Sequence, residues 1–258
     1  MLYKKKLITT IYSLLLVLVI TLNSGCSIFK ADPAKSTSFL PHGELLKPDP
    51  NRSPFNGSYY TDRAKFYANK YQYKKIYIAP INIEFAKSKI LESSQSEDTK
   101  LDSIDALEET ARYFQNILIR EFNSYPNHPF MVSKLSEVTP PFLTLEIAIT
   151  ELVPTEAAVN FLSTIAGVFV PGTGILKRFT QGSIAFEAIL RDGVTKEIFV
   201  ECKDRQNDKA SLFTLKDFDP YGHQRAIIDD WAVQFAKLAA TDDSVKVEEE
   251  LPFTFNPI

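Results

Sequence analysis

Residues 143–150 read Leu-Thr-Leu-Glu-Ile-Ala-Ile-Thr. Leu143, Leu145, Ile147 and Ile149 alternate with Thr144, Glu146, Ala148 and Thr150, the period of a strand with one face buried. The alternation returns from Ser183 to Leu190, with Ile184, Phe186, Ala188 and Leu190 on one side. Arg191-Asp192-Gly193-Val194 is a turn signal, since Asp bonds to nearby amides and Gly tolerates positive φ. Glu197 to Lys203 alternates again, with Ile198, Val200 and Cys202 expected inward. Strands 183–190 and 197–203 therefore read as a hairpin.

Working outward, Lys75-Ile76-Tyr77-Ile78-Ala79-Pro80-Ile81 is β-branched and aromatic and reads as a strand. Ser93 to Lys100 is polar and reads as a loop. Leu101, Ile104, Leu107, Ala111, Phe114, Leu118 and Phe122 then recur every three or four residues, an amphipathic helix. Asp102, Asp105, Glu108 and Glu109 sit early in it and Arg120 late, which suits the helix dipole. Tyr125-Pro126-Asn127-His128-Pro129 ends it, and Phe130-Met131-Val132 reads as a short strand. Asp219-Pro220 opens a last helix, with Ile228, Trp231, Phe235 and Leu238 on its apolar face. Helices are too few for repeated βαβ units. The expected fold is α+β, a mostly antiparallel sheet with two main helices packed on one face.

That domain is expected over residues 64–241, with an acidic C-terminal tail over 242–258. Residues 26–63 hold Pro33, Pro41, Pro48, Pro50 and Pro54 among polar and turn residues, with no apolar period. They read as an extended tether. At about 3.3 Å per residue, roughly thirty residues reach on the order of 100 Å. The alternative is that part of this stretch, such as Phe55-Asn56-Gly57-Ser58-Tyr59-Tyr60, packs on the domain surface.

Composition narrows the function classes. The 258 residues carry 29 Lys+Arg and 32 Asp+Glu, a net charge of −3, so no nucleic-acid partner is expected. Two cysteines exclude a disulfide scaffold and a cysteine-built zinc site. Residues 1–25 read as a signal peptide. Lys4, Lys5 and Lys6 precede an apolar run from Leu7 to Leu22 that is short for a spanning helix. Its end, Leu22-Asn23-Ser24-Gly25-Cys26, resembles the lipobox of bacterial lipoproteins, although Asn23 stands where that family prefers an aliphatic residue. The resemblance implies that Cys26 becomes the first mature residue and carries acyl chains. Ser27, rather than Asp, implies the outer membrane and its periplasmic face. Each buried methylene is worth about 0.8 kcal/mol, so several chains hold a protein durably on a bilayer.

One segment is unusual. Ala157 to Val170 reads AAVNFLSTIAGVFV, followed by Pro171-Gly172-Thr173-Gly174 and Ile175-Leu176-Lys177-Arg178-Phe179. The run is too short to span a bilayer. It reads as a core-completing helix or hairpin, as a contact for a partner or for self-assembly into a homo-oligomer, or as a membrane-touching loop. In the last two cases Phe161, Ile165, Phe169, Val170, Lys177 and Arg178 are the contact residues, the two cations suiting anionic head groups. Gly167 to Gly172 is no phosphate loop, because Thr173-Gly174 follows where Lys and Ser/Thr are needed.

Chemistry-bearing patterns are sparse. His42, His128 and His223 lack metal-ligand spacing, so no metal or cofactor is expected. No G-x-S-x-G elbow is present. Glu146, Glu187 and Glu201 fall on the outer faces of three strands. If those strands are neighbours, the carboxylates converge as an acid/base set for glycans. A polar outer sheet face gives the same pattern, and Lys203 shares it. With Cys26 acylated, Cys202 has no partner, and its inward parity reads as a buried core thiol.

Ile147-Ala148-Ile149-Thr150-Glu151-Leu152-Val153-Pro154, Gly182-Ser183-Ile184-Ala185-Phe186-Glu187-Ala188, Asp192-Gly193, Cys202-Lys203-Asp204-Arg205 and Trp231 together resemble a bacterial lipoprotein family, domain of unknown function 3313. The likeness covers roughly residues 60–240 and the lipidated start. Val194-Thr195-Lys196-Glu197 departs from it, since the family tends there towards a small residue, Thr and Gly. The resemblance implies an outer-membrane lipoprotein and supplies no catalytic residues. The expectation is a non-enzymatic lipoprotein held by acyl chains on Cys26. It presents an α+β domain to cell-envelope proteins in an accessory or assembly role. A periplasmic glycan-acting enzyme and a lipid-handling protein using 157–179 are the alternatives.

Overall fold

In a computed structural model that describes residues 33–153, 182–207 and 222–249, the alternating stretches are strands of one sheet. In chain order the elements are β1 (Gly57–Tyr60), α1 (Arg63–Asn69), β2 (Lys75–Ile78), α2 (Glu84–Glu92), α3 (Glu97–Ser124), β3 (Met131–Val132), β4 (Phe142–Val153), β5 (Ser183–Asp192), β6 (Ile198–Asn207) and α4 (Gly222–Ala240). The sheet order is β1-β6-β5-β4-β2-β3.

The α+β class holds, but the sheet is mixed rather than mostly antiparallel. β4, β5, β6 and β1 pair antiparallel, while β2 runs parallel to both β3 and β4. Parallel neighbours need a long crossover, and α2 with α3 supplies it. The pattern of strand 75–81, helix 101–122 and strand 143–153 thus encodes one βαβ unit. The loop expected over 93–100 is shorter, because α3 already begins at Glu97. Ser96 caps it, its hydroxyl accepting from the Thr99 amide at 3.3 Å. The preceding helix α2 buries only Ala86, so it has no apolar period to be read.

The two long helices, α3 and α4, do pack on one face. Phe186 on β5 touches both, with ring centroids 6.4 Å from Phe114 and 4.7 Å from Trp231. Phe55 joins this cluster at 5.1 Å from Phe186 and 4.9 Å from Phe235. A register shift at Leu190/Arg191 changes the parity of β6. Phe199, rather than the expected Ile198, is buried there, against Phe66 and Tyr73.

The stretch expected as an extended tether is folded over its described part, 33–63. Residues 34–45 cross the sheet face opposite the helices, and Gly57–Tyr60 is an edge strand. Phe55 and Leu40 are buried. Prolines in this stretch mark turns and an extended backbone pinned to a surface, a state that leaves no hydrophobic period. The described part of the acidic tail, 242–249, also packs. Val247 is buried, and its amide donates to the Arg52 carbonyl at 3.0 Å.

Two buried cations hold the C-terminal end of α4. Arg52 donates to the carbonyls of Leu238 (2.6 Å), Thr241 (3.1 Å) and Val245 (2.5 Å), and to the Tyr67 hydroxyl (2.9 Å). Lys70 donates to the carbonyls of Thr241 (2.6 Å) and Ala239 (3.3 Å). Helix C-termini leave carbonyls unsatisfied and carry negative dipole charge, so cations suit them. Burial pulls the Lys70 ammonium down to about 8, with Asp242 opposing the shift.

The β5–β6 turn is fixed by Asp192, whose carboxylate accepts from the amides of Val194 (2.7 Å) and Thr195 (2.8 Å). Gly193 lies against the Phe142 ring, and a Cβ there would stand 2.0 Å from a ring carbon. Gly193→Ala is expected to cost about 1–3 kcal/mol through forced displacement of Phe142, read as a lowered urea midpoint with an unchanged slope. A variant as stable as the parent would refute this close approach.

Candidate functional site

Alternation along β4, β5 and β6 places Glu146, Glu187 and Glu201 on the face away from the helices. The register pairs Glu146 with Ile189 and Ile189 with Glu201, while Glu187 lies between Ala148 and Lys203. Glu187 is therefore diagonal to both other carboxylates, a spacing of about 7–8 Å. The structure brings the three onto one surface and gives each a different partner.

Residues 34–45 form a strap over two of them. Glu187 accepts from the Thr37 amide at 2.6 Å and from its hydroxyl at 2.5 Å. Glu201 accepts from the His42 amide at 3.0 Å, and its other oxygen meets His42 Nδ1 at 2.7 Å. The His42 ring also packs on Tyr59 at 5.0 Å. Lys203 donates to the Ala34 carbonyl at 3.0 Å and to Ser36 Oγ at 2.8 Å. Beneath the strap Glu187 is 2% exposed and Glu201 0%. Buried carboxylates need such donors, because an uncompensated charge in the interior is costly. Glu146, outside the strap, pairs with Arg191 at 2.8 Å.

The Cys202-Lys203-Asp204-Arg205 run divides between the two faces. Lys203 and Arg205 point to the back. Arg205 pairs with Glu151 at 2.8 Å, and Glu151 also accepts from the Ser183 hydroxyl. Burial pushes the Glu151 carboxyl up, but Arg205 and Ser183 outweigh it and leave the group below its ordinary value. Cys202 and Asp204 point into the helix-side core. Asp204 is 2% exposed and accepts from the Asn56 amide (3.0 Å), the Trp231 indole (2.8 Å) and the Gln206 amide (3.0 Å). Cys202 is buried as its parity required, and burial pushes its thiol well above the ordinary value. It borders an apolar cavity of about 80 Å³ shared with Phe55, Tyr60, Phe122 and Phe235.

Sequence reasoning placed the three glutamates on the correct face and missed what covers them. Thr37 and His42 lie some 150 residues from their partners, at |i−j| of 150 and 159, and no local pattern links such positions. Asp204 left a signal, a carboxylate at an inward-parity position. Cys26, Phe161, Ile165, Phe169, Val170, Lys177 and Arg178 lie outside the described residues. Among the described residues, no helix is long and apolar enough to cross a membrane.

A family model described as "Protein of unknown function (DUF3313)" matches residues 46–235. The chain belongs to this family. The DUF3313 match begins inside the stretch expected as tether, in keeping with its folded state. Two solved structures of PelC dodecamers from Paraburkholderia phytofirmans are similar in part. A single-residue variant in space group C2 has a TM-score of 0.36 at 9% identity, covering 66% of this chain and 90% of that chain. A second, in space group P6, has a TM-score of 0.36 at 7% identity, covering 67% and 91%. No curated protein matches.

Two predictions concern these carboxylates. Replacing Glu187 and Glu201 together by Gln removes charge-assisted bonds worth about 1.5–3 kcal/mol each. Trypsin is then expected to cut native protein faster after Lys35, and unchanged cleavage would show that these bonds do not hold the strap. Glu151 has a depressed folded value, so the stability it contributes is present above its ordinary value of 4.5 and drains as pH falls through the lower one. Glu151→Gln is expected to flatten the acid limb of a stability-against-pH curve below that value, and an unaltered limb would refute the pairing.

Proposed function

We propose that this DUF3313 chain is an outer-membrane lipoprotein, held by acyl chains on Cys26 and presenting its α+β domain to cell-envelope proteins in the periplasm. The observation that carries the reading is the leader, in which three lysines, a short apolar run and Gly25-Cys26 follow in the order acylation requires. The role is accessory or assembly-related and non-enzymatic. Two features of the domain support it. Glu187 and Glu201 are engaged by the strap, and Glu146 is paired with Arg191, so the carboxylates best placed for acid/base work hold structure together. The family motif residues Lys203, Asp204 and Arg205 likewise bond within the fold.

A glycan-acting enzyme using Glu146, Glu187 and Glu201 would require the strap to leave. Its support is the shared face alone. Lipid handling through 157–179 rests on the apolar sequence of that segment.

The test is metabolic labelling of cells with a clickable palmitate analogue. Label is expected on the wild-type chain, which fractionates with outer membrane. Cys26→Ser is expected to lose both label and membrane fractionation. An unlabelled wild-type chain, or a Cys26→Ser variant that still fractionates with outer membrane, would overturn the reading.

A further inference from the structure

The strap fixes where the folded domain meets its own N-terminus. Ala34 is bonded to Lys203, and Thr37 and His42 to buried carboxylates. From Cys26 to Ala34 the chain has eight residue steps, a reach of at most about 29 Å. This leash leaves from the sheet face opposite α3 and α4. To lay the helix face on a bilayer, it must run straight round the β1 edge and past a sheet and a helix layer, each about 10 Å deep. Laying the strap face down needs no extension at all.

The strap and the first half of α3 also differ in charge, while the second half of α3 exposes Arg112 and Arg120. The first half of α3 exposes Glu97, Asp98, Asp102, Asp105 and Glu109, which an anionic lipid surface repels. The outer side of the strap and the residues just after it expose Lys35, Pro41, Leu45 and Lys47, with Glu44 as the acidic residue among them. Leu45 closes a 3-10 turn over Gly43–Leu45 and is 51% exposed.

We propose that the outer surface of the strap is the surface that rests on the bilayer. Leu45 enters the lipid interface, and Lys35 and Lys47 meet anionic head groups. The acidic half of α3 then faces the periplasm. This orientation rests on acylation of Cys26, which sets the length of the leash.

The experiment uses the full lipidated protein in vesicles of phosphatidylethanolamine and phosphatidylglycerol that carry a head-group acceptor dye. A donor is attached at Ser38→Cys on the strap or at Arg112→Cys on the outer side of α3. Cys202 is buried and stays unlabelled. Energy transfer from position 38 is expected to exceed that from position 112 severalfold. Leu45→Asp, made in the Ser38→Cys background, is expected to lower transfer while the protein still floats with the vesicles. Equal or greater transfer from position 112, or transfer indifferent to Leu45→Asp, overturns the orientation and leaves the lipid anchor standing. Full-length lipidated protein that does not float with the vesicles overturns the anchor itself, and the orientation with it.

Discussion

Asp204 is a carboxylate set into a core otherwise built largely of carbon, and it survives there because donors from separate elements converge on it. The Trp231 indole, the Asn56 amide and the Gln206 side chain together supply what water would have given. Those donors come from α4, from the chain leading into β1 and from β6 itself. One buried charge therefore ties helix, edge strand and sheet into a single geometry. Phe186 packs on Trp231 and Phe235, and Phe55 packs on Phe186 and Phe235. Removing any one donor would leave a buried acceptor short of a partner, which costs more than the bond contributes.

The opposite face repeats the logic with the charges on the sheet and the donors on the strap. Glu187 and Glu201 capture backbone amides of Thr37 and His42, while Lys203 captures a backbone carbonyl from Ala34. Extended, proline-rich chain has little apolar surface with which to hold itself down. Fixed charges on a rigid sheet give it partners at set positions, and the backbone groups that would otherwise need water are satisfied. Arg52 and Lys70 do similar work at the end of α4, where free carbonyls gather. In each place a buried ion meets backbone and hydroxyl groups rather than an opposite charge alone, which is why these sites bind chain segments.

The mixed sheet follows from where the long helix lies in sequence. α3 stands between β2 and β4, so those strands meet side by side and parallel. The hairpin from β5 to β6 has only a tight turn and must pair antiparallel. Counting helices suggested an antiparallel sheet. Their placement between particular strands decided otherwise, and strand direction is a property of the connection rather than of the strand.

The strands at 143–153, 183–190 and 197–203, the helix through Phe114 and the helix through Trp231 were legible in sequence, because alternation and three-four spacing are local and follow from burying one face. The shared face of Glu146, Glu187 and Glu201 was legible for the same reason. The partners of those carboxylates were not, since Thr37 and His42 are brought to them by chain closure over more than a hundred residues. The bulge that exchanges Ile198 for Phe199 arises from the fit of two strands and has no mark in either. Sequence alone determined the inward faces of β4 and β5, because period-two alternation is local. Tertiary structure alone turned an apparent tether into a strap, because only a finished sheet puts buried charges under an otherwise unstructured stretch.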